Sequence, residues 1–257
     1  MVNEEVFVKI YEDAKNFKYN SMNYICFDGC KNAEIIKNDN TLILLQDKAQ
    51  TPSMLHFAVD DFEYLLEILA DMRGKLRLHF VPRKFAVQLE ELGFTEWAEY
   101  ADFWNADLAS TATHVNNIHN IEYLCKDECE EVSLLSQKCK LQSRGYKGEA
   151  KEWFVEWLNE NKVIIVRKDS MIFGFCCVSI YNEGTTLWIR EIAVDPAYQG
   201  IGIGKKLMEQ AILYGIENGA VKGFLAADIL NKNAIGLYNK YNFVSKNVDS
   251  ELQMIKE

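Results

Sequence analysis

The chain has 257 residues, 49% of them hydrophobic and 26% charged, with a formal net charge of -10. This is a globular composition, long enough for one large domain or two ordinary ones with a sizeable core. The acidic balance argues against nucleic acid and anionic membranes as main partners, because both require a basic face, and it suits a cationic or amine-bearing partner.

The opening Met-Val-Asn-Glu-Glu lacks the basic-then-apolar order of a signal peptide. No uncharged apolar run approaches the roughly 18 residues of a transmembrane helix. A cytoplasmic location is therefore expected, with no membrane partner. The seven cysteines are an odd number without a disulfide framework and read as reduced thiols. Cys26 and Cys30, and Cys125 and Cys129, have a spacing that zinc pairs use, but His56, His79, His114 and His119 supply no matching second pair. No metal is expected.

Residues 109–120 are small and polar without sustained periodicity, and they divide the chain into expected domains 1–116 and 117–257. Residues 121–125 read as a strand. Asp127 then caps a helix with Val132, Leu135 and Cys139 on one side. Residues 141–148 hold two glycines and read as a loop, and 149–159 resume as a helix bearing Trp153, Phe154, Trp157 and Leu158. Strands follow at 163–167, 171–180 and 185–194, separated by turns at Asp169-Ser170 and Asn182-Glu183-Gly184. A helix over 202–218 places Leu207, Met208, Ala211 and Ile212 on one face and stops at Gly219. A strand at 222–229, a helix at 231–241 and a last strand from Phe243 complete the order βααβββαβαβ. Strands alternating with helices late in the chain imply an α/β fold with a mixed, partly parallel sheet.

The segment 189–207 reads Ile-Arg-Glu-Ile-Ala-Val-Asp-Pro-Ala-Tyr-Gln-Gly-Ile-Gly-Ile-Gly-Lys-Lys-Leu. A strand ends at Val194, Asp195-Pro196 breaks it, and Gly200, Gly202 and Gly204 lead into a helix. Glycines let backbone approach a ligand closely. The N–H groups of the first helical turn then face it, and the helix dipole favours an anion there. The pattern suits phosphate. A Walker loop fails, because Lys206 follows Lys205 and position 199 is not Gly. A dinucleotide fingerprint fails because Lys205 stands where Gly or Ala is required. Gln/Arg-x-x-Gly-x-Gly/Ala is met by Gln199, Gly202 and Gly204.

Gln199–Gly204, preceded by Ile-Ala-Val-Asp-Pro, resembles the pyrophosphate-binding motif of the GNAT superfamily of N-acetyltransferases. Further on, Asn231, Ala234, Tyr238 and Phe243 match the family's second pattern, which departs at Asn242, where Gly is usual. Asn tolerates positive φ better than other non-glycine residues, so the change is mild. The resemblance covers about the last 140 residues. It implies a GNAT-like fold and acetyl-CoA as cosubstrate. In the family, the strand before the loop splays from its neighbour, often at a bulge. The resemblance thus implies that Ile192, Ala193 and Val194 offer backbone groups to the pantetheine arm and thioester. It implies that Gly200, Ile201, Gly202, Ile203, Gly204 and Lys205 hold the pyrophosphate, and it places Gln199 and Asn231 beside the cofactor. Lys205 and Lys206 are equally readable as solvated helix residues.

Tyr238 matches the family's usual acid for the departing thiolate, although it also reads as an ordinary half-buried helix tyrosine. Glu191, one residue before Ile192, is the candidate base, with a charge pair to Arg190 or a water chain as alternatives. Strand alternation puts Glu191 and Ala193 on one face and Arg190 and Ile192 on the other. Trp188, Trp153, Trp157 and Tyr146 are candidates for lining an acceptor pocket or for core packing. Residues 143–148 fall where the family's variable acceptor loop lies.

The first half resembles a worn copy of the same unit. Phe57-Ala58-Val59-Asp60 echoes Ile192-Ala193-Val194-Asp195, and a strand and helix from Leu76 close on Gly93-Phe94. Alignment on the closing Phe places Leu89 at the position of Tyr238 and Pro82 at that of Asn231, with the glycine loop missing. A tandem arrangement follows, in which the first half does not bind acetyl-CoA. The expected activity is acetyl transfer from acetyl-CoA to a primary amine of a small molecule or peptide by direct attack in a ternary complex, carried out by a monomer or homodimer. The alternatives are a non-catalytic acetyl-CoA sensor or scaffold, and transfer of another acyl group.

Overall fold

The computed structural model describes residues 2–23, 25, 27–49, 51–112, 120–140, 142–144, 146–245 and 250–257. In chain order, its first elements are α1 (Glu4–Ala14), β1 (Tyr19–Asn20), β2 (Ala33–Asn38), β3 (Leu42–Asp47), β4 (Ser53–Val59), α2 (Phe62–Asp71), β5 (Leu76–Pro82), α3 (Ala86–Glu91) and β6 (Thr95–Asn105). Then follow α4 (Leu108–Ala112), β7 (Glu122–Tyr123), α5 (Cys129–Lys138), α6 (Lys151–Trp157), β8 (Lys162–Lys168), β9 (Met171–Tyr181), β10 (Thr186–Val194), α7 (Ile203–Glu217), β11 (Lys222–Asp228), α8 (Lys232–Lys240) and β12 (Glu251–Lys256). From β7 onward this is the βααβββαβαβ order that the periodicity implies. Among the described residues no helix is long and apolar enough to cross a membrane.

Two compact units are present: Met1–Glu99 with Asp249–Glu257, and Tyr100–Val248. The boundary expected at 116/117 lies outside the described residues. In the first unit β2, β3 and β4 are antiparallel neighbours. β4 then runs parallel to β5 over three pairs, Ser53↔Leu76, Met54↔Arg77 and Leu55↔Leu78. β12 pairs antiparallel with β5, Leu252 opposite Val81 and Met254 opposite Leu78. Leu252 and Met254 are both fully buried in the core that holds Phe57, Phe62, Leu65 and Leu89. This corrects the last strand: it starts at Glu251 rather than Phe243, because its alternating apolar residues complete the first unit's core. Val244 makes only an isolated bridge to Trp104. Val59 is followed directly by Asp60 and by Asp61, whose carboxylate caps α2 by accepting from Glu63 N at 3.1 Å.

In the second unit, β7, β8, β9 and β10 are antiparallel in succession. β10 runs parallel to β11, and β11 pairs antiparallel with residues 100–105 of β6. The sheet is therefore mixed. One face packs on α7 and α8 through Leu187, Ile189, Leu207, Met208, Ala211 and Phe243. The other packs on α5 and α6 through Val132, Phe154, Val163, Phe175 and Ala193. α5 begins differently from expectation. Asp127 sits inside a 3-10 turn, Lys126–Glu128, whose N-cap is Cys125, and Glu128 Oε2 accepts from Cys125 N at 3.0 Å. The turn adds a step before the α-helix, so the cap moves upstream.

Candidate active site

β10 and β11 share three parallel pairs, Thr186↔Lys222, Leu187↔Gly223 and Trp188↔Phe224, and then part. Beyond Trp188, β10 stays bonded to β9, with Ile192 opposite Cys176, Ala193 opposite Phe175 and Val194 opposite Gly174, while β11 continues with β6. Ile192, Ala193 and Val194 thus border an opening on their β11 side. The register of β10 against β9 shifts between Ile189 and Glu191, so a bulge sits at Arg190 where the strands part. Gly174 makes the tight packing beside it possible, since a Cβ there would lie 2.9 Å from Ile203 Cγ2 and 3.0 Å from the Ala193 carbonyl.

The strand ends at Val194, and Asp195 caps a 3-10 turn, Pro196–Tyr198, accepting from Ala197 N at 3.0 Å. Gly200 has φ +79° and Gly202, the N-cap of α7, has φ +93°. A Cβ at either would meet nothing within 4 Å, so the backbone conformation, not space, demands glycine. No side chain caps α7. The first-turn N–H groups of Ile203, Gly204 and Lys205 have no partner inside a helix, and they sit at its positive end. Ile201 is 70% exposed at the tip of the loop. Lys205 reaches back to Glu209 at 3.7 Å. The Gln199 amide turns back onto the strand and donates to the Val194 carbonyl at 3.3 Å, which also accepts from Gln142 Nε2 at 3.1 Å.

Glu191 lies on the α5–α6 face, with its side chain 8% exposed. Its carboxylate accepts from the Tyr146 hydroxyl, from Ser136 Oγ at 3.5 Å and from Arg190 Nη1 at 3.2 Å. Burial pushes the carboxyl up to about 7, and the Tyr146 bond and the Arg190 charge only partly oppose it. The expected alternation fails at this point. Arg190 shares the face of Glu191, lying over the Trp153 ring at 4.1 Å and pairing with Glu149 at 2.7 Å. The bulge absorbs one residue, so two consecutive side chains leave the strand on the same side. Trp153 stacks on Trp157, which meets Trp188 edge-on, and all three are partly buried.

Tyr238 stands on α8 against the opposite face, its ring 6.1 Å from that of Phe103. Burial, with a smaller contribution from the Cys176 thiol, raises its hydroxyl well above the usual phenol range. Asn231 caps α8 by accepting from Ala234 N at 3.2 Å and donates to the Gln142 carbonyl at 3.4 Å. Asn242 adopts φ +59°, the conformation anticipated at the usual glycine position. Sequence reasoning missed Ser136 and the pair Arg144–Asp228. Arg144 Nη2 meets Asp228 Oδ1 at 2.7 Å, and the Arg144 backbone N–H donates to Asp228 Oδ2 at 3.1 Å. With Gln142 on Val194 and Arg144 on Asp228, residues 142–144 run from the end of β10 to the end of β11. No sequence signal links partners 84 positions apart. Among the described residues no three His, Cys, Asp or Glu side chains are placed to hold a metal ion. Cys26, His114 and His119 lie outside those residues.

The comparisons agree with this geometry. The sequence model of the acetyltransferase (GNAT) family matches residues 118–243. A streptothricin acetyltransferase of Streptomyces lavendulae is 34% identical over 89 residues, 35% of this chain and 47% of that protein. An uncharacterized N-acetyltransferase of Methanocaldococcus jannaschii is 30% identical over 113 residues, 40% of this chain and 50% of that protein. The chain thus spans about half the length of the curated relatives it matches. Among solved structures, a tandem GNAT protein from the clavulanic acid biosynthesis pathway superposes with a TM-score of 0.59 at 12% identity, over 87% of this chain and 81% of that one. The overall fold is that of a tandem GNAT protein, and the chain carries an acetyltransferase (GNAT) family domain over residues 118–243.

Proposed function

We propose that the second unit transfers an acetyl group from acetyl-CoA to a primary amine, both substrates being held together during direct attack. The observation that carries this reading is the pairing of two features at one place: the opening between β10 and β11 beyond Trp188, and the uncapped, glycine-started α7 beside it. The acetyltransferase names of the two curated relatives point the same way. The first-turn N–H groups from Ile203 to Lys205, with the Gln199–Gly204 loop, would hold the pyrophosphate. The backbone of Ile192, Ala193 and Val194 would hold the pantetheine and thioester. Asn231 would act beside them by fixing the start of α8, the helix that carries Tyr238.

Holding the amine at reacting distance supplies much of the rate. Glu191, with a carboxyl near neutrality, takes the ammonium proton, directly or through water. The amine nitrogen then forms its bond to the thioester carbon, and the carbonyl electron pair moves to oxygen beside the β10 backbone. As the oxyanion collapses and the carbon–sulfur bond breaks, the Tyr238 hydroxyl protonates the thiolate and the extra proton on the nitrogen passes through water to the Tyr238 phenolate, leaving a neutral amide and a free thiol.

Residues 1–116 and 117–257 are the proposed repeats, and both units part their parallel strands after three pairs. The first repeat would not bind acetyl-CoA, because Asp61 caps the helix start and Glu63 follows in its first turn, where a phosphate would need empty N–H groups.

Thermal unfolding with and without acetyl-CoA, beside Gly202→Glu, tests the reading. A rise in Tm in the native protein that vanishes in the variant is expected. An amine panel read by release of free thiol then separates transfer from mere binding. No Tm shift at saturating acetyl-CoA would end both readings.

A further inference from the structure

The α5–α6 face of the second unit's sheet is not covered along its whole width. α5 and α6 pack against β8, β9 and β10. Across β11 and β6 the same face carries a row set by register: Trp188, Phe224 and Trp104. The next row holds Ala226 and Asp102, paired residues on adjoining strands. Both are exposed, on the stretch of β11 that β10 has already left and that pairs with β6 alone. Ala226 therefore borders the opening between β10 and β11, with Asp102 beside it on β6.

The side chains around this row are charged or aromatic. Phe224 and Trp104 contact at 4.7 Å, and Lys222 lies over the Trp104 ring at 5.9 Å, so this surface already accepts a cation. Arg190 is held by Glu149 and Glu191, and Asp228 by Arg144. Among the described residues the Asp102 carboxylate has no hydrogen-bond or ion-pair partner, and the adjoining sheet raises it above the usual range by partial desolvation. It is a carboxylate beside an aromatic shelf, two strands from Glu191, at least about 10 Å across the sheet.

We propose that Asp102 binds a second positive charge on the amine acceptor, so that the substrate class is a diamine or an amine with a cationic group a few carbons away. The inference rests on the proposed acetyl transfer: one nitrogen loses its proton toward Glu191 while the other remains an ammonium ion against Asp102, with its carbon chain over Ala226 and Phe224. An ion pair to this carboxylate, with the carbon chain over the aromatic shelf, gives selectivity over an uncharged chain end.

The test uses cadaverine and pentylamine, equal in chain length and differing in the second amine. In the native protein the kcat/KM ratio of cadaverine to pentylamine is expected to be about tenfold or more, and Asp102→Asn should reduce that ratio by about tenfold. Calorimetric binding of cadaverine should weaken likewise in Asp102→Asn. It should also weaken in Ala226→Lys, which places an ammonium group next to Asp102. Both variants should keep the Tm shift with acetyl-CoA, which shows an intact fold. An unchanged ratio and unchanged cadaverine binding in both variants would overturn the proposal. If no amine releases thiol although acetyl-CoA binds, the transfer reading fails, and the binding measurement still decides the role of Asp102.

Discussion

Arg190 and Glu191 are consecutive in sequence and lie on the same face of β10, with Arg190 Nη1 donating to Glu191 Oε2 at 3.2 Å. The bulge that brings them together also marks the parting of β10 from β11. One backbone irregularity therefore sets the candidate base at the level where the sheet opens. A buried carboxylate with a single cation neighbour keeps its proton to higher pH than an exposed one.

Glu191 should govern the acidic limb of the pH profile. Its carboxyl titrates near 7 rather than at the ordinary 4.5. As a base it works only when deprotonated, so kcat/KM should rise with pH through about 7. Glu191→Gln should remove that limb and lower turnover by about 100-fold. The linkage sign is opposite for stability. The unfolded chain loses this proton at lower pH than the folded one, so the Glu191 contribution falls as pH rises from about 4.5 to about 7. A pH–rate profile with matching Tm measurements checks both, and a limb that survives in the Gln variant would remove Glu191 as the base.

Tyr238→Phe should lower turnover by about 10- to 100-fold with little change in acetyl-CoA affinity. Its hydroxyl is held protonated across the working pH range, which suits an acid, and its ring packing with Phe103 is retained in Phe. Steady-state kinetics and a binding isotherm separate the two effects. Unchanged turnover would remove Tyr238 from the mechanism.

Arg144→Ala should destabilise the second unit by about 2–3 kcal/mol, because it leaves Asp228, whose side chain is 2% exposed, without its counter-charge. Burial alone would raise the Asp228 carboxyl, but hydrogen bonds from Arg144 and the Leu230 N–H outweigh it and hold it below the usual range. The stability from this pair is therefore present above the ordinary carboxylate pKa and is lost as pH falls through the lowered one. Urea unfolding of Arg144→Ala and of Arg144→Ala with Asp228→Asn tests this. The second change should recover part of the loss, and no recovery would mean that the buried charge is not the cause.

The glycine loop was legible because its physics is local. Gly200 and Gly202 need positive φ, α7 needs an open first turn, and Asn242 needs the left-handed conformation, all properties of contiguous backbone. The element order was legible for a similar reason, since period and turn chemistry are written residue by residue. The sequence by itself thus determined the fold class, the phosphate-type loop and the strand that leads into it. Tertiary structure decided the rest. The bulge at Arg190 depends on how β9 and β10 register, which no single strand encodes. Pairing of β12 with β5, of Asp102 with Ala226 and of Arg144 with Asp228 joins residues far apart in the chain. Such contacts arise from which apolar faces find burial together, and only the folded chain settles that competition.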